Sequence, residues 1–173
     1  MKAPLFSTLA CLLFSACSTP EAPLATAPNF EPACYAGVWH EIARLPNRFE
    51  RDVVAARATY RKLDDGNLSI LNEGLKSTGK ETSISGIATP AGEAKFKIRF
   101  DKFPANLFVG NYWVLWVDDS YERAIVRTPS RKFLWLLAKD PAIQQKDFAP
   151  ALKEMKGNGF AIEQIYENPK RLN

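Results

Sequence analysis

From residue 37 onward the chain alternates apolar and polar positions in short runs, and turn residues separate the runs. A period of two marks strands with one buried face. It is clearest over residues 94–100, where Phe96, Ile98 and Phe100 fall on one side and Lys95, Lys97 and Arg99 on the other. Such a strand has one dry and one wet face. Over residues 53–63, Val54, Ala56, Ala58 and Tyr60 share a face, with Arg57 and Arg61 opposite. Asp64-Asp65-Gly66-Asn67 then predicts a tight hairpin, and Leu68, Ile70, Asn72 and Gly74 share a face of the strand that follows. Further turns are expected at residues 77–80 and 90–92. Residues 111–119 are apolar on both sides, Tyr112/Val114/Trp116 and Trp113/Leu115/Val117, which predicts a strand whose outer face is covered. Runs at 121–129 and 132–139, with 37–45 at the front, bring the number of strands to eight.

Eight strands in sequence, joined by mostly short turns, predict an antiparallel meander that closes on itself. Closure removes the exposed edges, and an eight-stranded barrel can hold one small ligand. The expected fold is therefore all-β: an eight-stranded antiparallel up-and-down barrel. One segment breaks the period. Ile143, Phe148, Leu152 and Met155 recur at helical spacing, and Gly157-Asn158-Gly159 supplies a stop. This predicts one C-terminal α-helix, beginning near Phe148 and packed outside the barrel, with the face of Trp113, Leu115 and Val117 as the surface it covers. Residues 161–167 read as a short ninth strand.

The N-terminus reads differently. Lys2 precedes an apolar run to Ala16 that is shorter than the ~20 residues needed to span a bilayer, so residues 1–16 read as a secretory signal peptide. Leu13-Phe14-Ser15-Ala16-Cys17 resembles the bacterial lipobox, with Phe14 where that motif has Leu. This makes Cys17 the expected lipidation site, with Cys11 a weaker match; an ordinary signal cleaved nearby is the alternative. A diacylated, N-acylated cysteine is a firm membrane anchor, at ~0.8 kcal/mol per buried methylene. Ser18 looks like an outer-membrane sorting residue. Residues 17–29 are rich in Pro, Ala and Thr and read as a lipidated N-terminus and flexible tether, which leaves residues 30–173 for the barrel domain. The expected location is the bacterial outer membrane, lipid-anchored and facing the periplasm.

Composition narrows the chemistry. The 173 residues are 46% hydrophobic, enough for one core. The net charge of +4 is scattered among acidic residues with no basic run, so a solvated surface is expected and nucleic-acid binding is not. Of the three cysteines, only Cys34 remains if Cys11 leaves with the signal and Cys17 is lipidated. Cys34 is expected as a buried apolar filler; the other reading is a free thiol that joins two chains into a homodimer. There is one histidine and no His/Cys cluster for a metal, and no cofactor is implied.

Asn29-Phe30, Tyr35-x-Gly37-x-Trp39, Glu41-Ile42-Ala43-Arg44 and Arg48-Phe49-Glu50-Arg51 closely resemble the first motif of the lipocalins, in the subgroup of bacterial lipocalins and apolipoprotein D-like relatives. Tyr112-Trp113-Val114-Leu115 with Asp118 and Tyr121 resembles the second motif, and residues 133–141 resemble the third. The resemblance implies a barrel closed at one end, with Trp39 as its plug after Gly37, and open at the other. It also implies a mouth ringed by residues 46–52 and 104–108. Lys139 stands where the family has arginine. A lysine can still sit over the Trp39 indole as a cation, but it cannot stack a planar guanidinium on it.

Strand alternation puts His40 opposite Trp39, hence outward and structural. Glu41 shares the face of Trp39, as a paired interior carboxylate or a polar ligand contact. Nothing assembles a nucleophile, a base and an orienter, so no catalytic residue is expected and the chain is not read as an enzyme. Alternation selects Tyr60, Asn72, Ile84, Ile98, Phe100, Tyr112 and Val114 as inward candidates for ligand binding; position 139, which the resemblance turns toward the end that holds Trp39, sets the phase of the eighth strand and adds Phe133, Trp135 and Leu137. The expected function is binding and transport of a small hydrophobic ligand, a fatty acid or lysophospholipid. Two alternatives stand beside it. One is an enzyme on the same barrel, in which Cys34, His40 and Glu41 converge on a lipid or isoprenoid-like substrate. The other is an envelope interaction protein whose barrel is filled by side chains.

Overall fold

The computed structural model describes residues 24–172. The segment read as a signal peptide, the expected lipidation site Cys17 and the first part of the expected tether lie outside the described residues. Eight strands form the closed barrel: β1 (Gly37–Arg44), β2 (Val53–Lys62), β3 (Leu68–Lys76), β4 (Glu81–Pro90), β5 (Lys95–Phe100), β6 (Val109–Val117), β7 (Arg123–Arg127) and β8 (Leu134–Ala138). Each pairs antiparallel with the next, and β1 closes the ring by pairing with both β2 and β8. A two-residue β9 (Tyr166–Glu167) adds to β1 where β1 has parted from β2. A four-residue helix, α1 (Pro32–Tyr35), precedes the barrel, and α2 (Ala149–Gly157) lies outside it. The expected architecture is the observed one, and the sequence pattern did not mark α1.

Residues 24–29, read from sequence as part of the tether, lie against the closed end. The Ala27 amide donates to the Val114 carbonyl at 2.9 Å and Thr26 donates to the Glu93 carbonyl at 2.7 Å. Ala27 is buried in the interior cluster.

Two apolar clusters divide the molecule. The inner one fills the closed end with Trp39, Tyr60, Leu68, Ile70, Phe96, Ile98, Val114, Val126 and Leu137. The outer one joins α2 to the barrel wall through Phe148, Leu152 and Met155 against Leu115, Ile125, Leu134 and Leu136. The spacing that predicts the helix is thus the spacing of its buried face.

The surface under the helix differs from the expected one. A register shift between Val114 and Trp116 inserts an extra residue into β6. Leu115 still faces α2, but the phase inverts after it: Trp116 lies outside with Ile125, and Val117 turns inward with Ala124. A bulge breaks the period of two in this way. Trp113 faces outward beyond the helix, with Lys95 and Arg127 each 5.0 Å from its ring centroid.

Candidate ligand-binding interior

The floor of the barrel is aromatic. Gly37 enters β1 at φ +125°, a conformation L side chains rarely adopt, and this turn leads directly into Trp39. The indole is fully buried, donates from Nε1 to the Tyr35 carbonyl at 2.8 Å and stacks on the Tyr35 ring at 4.6 Å. Lys139 holds its ammonium 5.3 Å from the indole centroid and donates to the Cys34 carbonyl. The lysine thus keeps the cation over the plug.

Register settles where the ten inward candidates lie. Tyr60, Ile98, Val114 and Leu137 are packed into the floor and are all below a tenth exposed. Tyr112, Phe100, Asn72, Ile84, Phe133 and Trp135 keep partial accessibility nearer the mouth. Asn72 faces Ala58 and Ile84 across the sheet. Small inward residues widen this level. Gly86 lies beside Phe100, where an added Cβ would meet the Arg99 carbonyl oxygen at 2.7 Å; at Gly110 it would meet nothing nearer than 3.8 Å. At the rim, Phe133 stacks between Phe49 and Trp135, each 6.0 Å away. Phe103, Leu107 and Phe108 on the β5–β6 connection are exposed.

A buried polar network closes the side of the barrel between β1 and β2. After a bulge at Glu41, Arg44 returns inward opposite Trp135. Its guanidinium donates to Glu41 Oε1 at 2.7 Å, to the side-chain carbonyl of Asn168, and to the carbonyls of Glu50 and Val53. Asn168 donates in turn to the Glu41 backbone carbonyl and to Oε1, both at 3.0 Å. Glu50 accepts from the Trp135 indole at 3.0 Å. Burial first, and the Glu50 carboxylate second, push the Glu41 carboxyl up to about 8, against the opposing pull of Arg44 and Asn168. Of the two readings of Glu41, the structure shows the paired interior carboxylate. Tyr35, Arg44 and Glu50 stand in the first motif but were given no role from sequence, and Asn168 was not selected at all. Tyr35 depends on a helix of four residues, and Asn168 lies 127 positions from its partner, beyond the reach of any local period.

The remaining chemistry is dispersed. His40 faces outward as expected, pairing with Arg57 and Ala138, but it is buried. Burial, with Arg57 and Arg171 nearby, lowers its pKa below the ordinary 6.5. Cys34 is exposed and free, so the expectation of a buried filler is corrected: α1 turns Tyr35 into the floor and leaves Cys34 on the solvent side. Cys34, His40 and Glu41 are therefore not brought together. A depression of about 370 Å³ over β2–β4, lined by Thr59, Leu71, Ile87 and Asp101 among others, is open to solvent.

Comparison with known proteins places this architecture. A family model described as a Lipocalin-like domain matches residues 31–170. Temperature-induced lipocalin-1 of Arabidopsis thaliana is 34% identical over 144 residues, covering 79% of this chain and 77% of its own. The Outer membrane lipoprotein Blc of Escherichia coli K12 is 34% identical over 162 residues, covering 90% and 89%. Among solved structures, the cockroach allergen Per a 4 superposes with a TM-score of 0.67 at 16% identity, over 85% of this chain and 92% of its own, which speaks for the fold alone. With a match spanning most of the barrel and relatives this similar over most of their length, the chain belongs to the lipocalin family.

Proposed function

We propose that this protein is a carrier for a long-chain amphiphile, a fatty acid or lysophospholipid, held in the bacterial envelope by a lipid on Cys17. One observation carries the reading: the inward face changes from packed floor to partly accessible wall between Tyr60 and Asn72, and the accessible wall is apolar up to an exposed aromatic rim. An apolar cleft with a few placed polar groups is what a small-molecule site requires. Burying a long chain at ~0.8 kcal/mol per methylene exceeds the ordering cost. No helix among the described residues is long and apolar enough to cross a membrane, so attachment rests on Cys17 in this reading. The similarity to an outer membrane lipoprotein supports the same location, with the barrel on the periplasmic side.

The filled-barrel reading is disfavoured by two of the four tryptophans, Trp113 and Trp116, which lie on the outside of the wall. The enzyme reading loses its basis with the separation of Cys34, His40 and Glu41.

Titration of the full chain carrying Cys17→Ser with a fluorescent fatty acid, and with a fluorescent lysophospholipid, tests the carrier reading. Saturable 1:1 binding of at least one is expected. Failure of both to bind, with the barrel folded by circular dichroism, removes it.

A further inference from the structure

We propose that Tyr112 reads the leading end of the ligand, donating a hydrogen bond to an uncharged oxygen, a carbonyl or hydroxyl, that enters the barrel first. The inference rests on the carrier reading and narrows its ligand to an amphiphile whose leading end carries a neutral oxygen, such as a fatty acid entering as the protonated acid.

Three phenols meet above the plug: Tyr35 from α1, Tyr60 from β2 and Tyr112 from β6. The Tyr35 and Tyr112 hydroxyl oxygens are 2.6 Å apart, and Tyr60 donates to Tyr112 at 3.1 Å. Three hydroxyls carry three protons, and these two hydrogen bonds use two. A hydroxyl accepts two hydrogen bonds and donates one. When Tyr35 and Tyr60 both donate to Tyr112, the Tyr112 oxygen is saturated as an acceptor and its own proton is free. The opposite orientation of the Tyr35–Tyr112 bond would strand the spare proton on Tyr35. That residue has no exposed surface, and the spare proton there has no acceptor among the described residues, which is the costly arrangement. Tyr112 is the most accessible of the three, Tyr60 being 4% exposed, and it faces the interior.

Burial raises the pKa of all three phenols, so the cluster stays neutral and protonated. Two incoming hydrogen bonds polarise the third O–H and make it the better donor. Gly110, two residues along the same inward face of β6, presents no side chain there; a Cβ would stand in ordinary contact with Ile98, at 3.8 Å from its carbonyl oxygen, and clash with nothing.

The site's charge selects the acceptor. Arg44 is the buried inward cation, and its guanidinium is spent on Glu41, Asn168 and two backbone carbonyls; Lys76 continues the inward phase of β3 but stands at the far end of that strand, four residues beyond Asn72. Lys139 lies on the other side of the Trp39 plug. An ionised carboxylate or phosphate at Tyr112 would be buried without a counter-charge, which is strongly unfavourable. A ketone, an alcohol or a protonated acid needs only the donor that Tyr112 offers.

The test uses the full chain carrying Cys17→Ser, with and without Tyr112→Phe. Affinities for dodecane, 2-dodecanone and 2-dodecanol are measured by displacement of an apolar fluorescent dye. Tyr112→Phe is expected to weaken the ketone and the alcohol about fivefold, the value of one neutral hydrogen bond, and to change dodecane by less than about twofold on the same reasoning. A second readout needs no variant: the carbonyl stretch of bound ¹³C-labelled 2-dodecanone should lie below its position in hydrocarbon solvent. Dodecanoic acid should bind more tightly protonated than ionised. Dodecane binding, together with a ketone affinity indifferent to Tyr112→Phe and a carbonyl stretch at its hydrocarbon position, overturns this inference alone. Tighter binding of ionised dodecanoate overturns the requirement for a neutral end. If neither dodecane nor 2-dodecanone binds while the fluorescent fatty acid or lysophospholipid does, this inference falls and the carrier reading stands; if none of the four binds, both fall.

Discussion

Glu41 and Lys139 show how differently single residues yield to sequence reasoning. The family resemblance sets the cation of position 139 against the Trp39 indole, and its ammonium is found there. Glu41 follows from strand alternation, but its partners come from three separate segments: Arg44 after a bulge, Glu50 in the first loop, and Asn168 near the C-terminus. Its titration has a definite sign. A carboxyl whose folded pKa lies near 8 binds more protons folded than unfolded between its ordinary 4.5 and 8. Its contribution is therefore fully present below pH 4.5 and is lost as pH rises through 8, with a slope of at most about 1.4 kcal/mol per pH unit. Glu41→Gln keeps an oxygen for Arg44 and Asn168 and removes the proton equilibrium. Denaturant unfolding of the two proteins across pH 4–9 should show the downward slope only in the parent. Equal slopes would mean that Glu41 stays ionised throughout.

At the level of elements, alternation placed every strand and the inward face of nearly all of them. It failed where the backbone inserts a residue. The bulge in β6 turns Val117 in and Trp116 out, and no residue in Trp113–Val117 is a glycine or proline to announce it. The bulge in β1 likewise separates Glu41 from Ala43. Helical spacing was read correctly for α2 because Phe148, Leu152 and Met155 are all buried on one side. In the wall beneath, the bulge misassigned Val117, while Trp113 faces outward but lies beyond the helix. Phe148 is fully buried and meets Trp116 edge-on at 6.4 Å, so Phe148→Ala should cost about 3–5 kcal/mol in urea unfolding. Affinity for a barrel ligand should remain, because the outer cluster shares no wall residue with the accessible interior. Loss of both together would show that α2 governs the shape of the interior.

Over the whole molecule, the floor of the site was legible and its upper wall only in outline. Gly37, Trp39 and the three motifs mark the closed end, whereas the mouth is built by loops whose side chains follow no period. The wall itself depends on the far end of the chain. β1 pairs with β2 only as far as His40, then with β9, and Asn168 secures the gap with bonds from its backbone amide to the Ile42 carbonyl and from its side chain to Glu41. Deleting residues 166–173 should leave Glu41 and Arg44 short of partners, lower the melting temperature by several degrees and raise amide exchange in β1 and β2. An unchanged exchange pattern would show that the seam holds without its fastener. The same gap orders events in time. The first strand waits for a neighbour synthesised about ninety residues later and for a fastener thirty residues beyond that. While it emerges from the ribosome, the polypeptide has no closed cylinder to form. The barrel can therefore close only after β8 and Asn168 have been made.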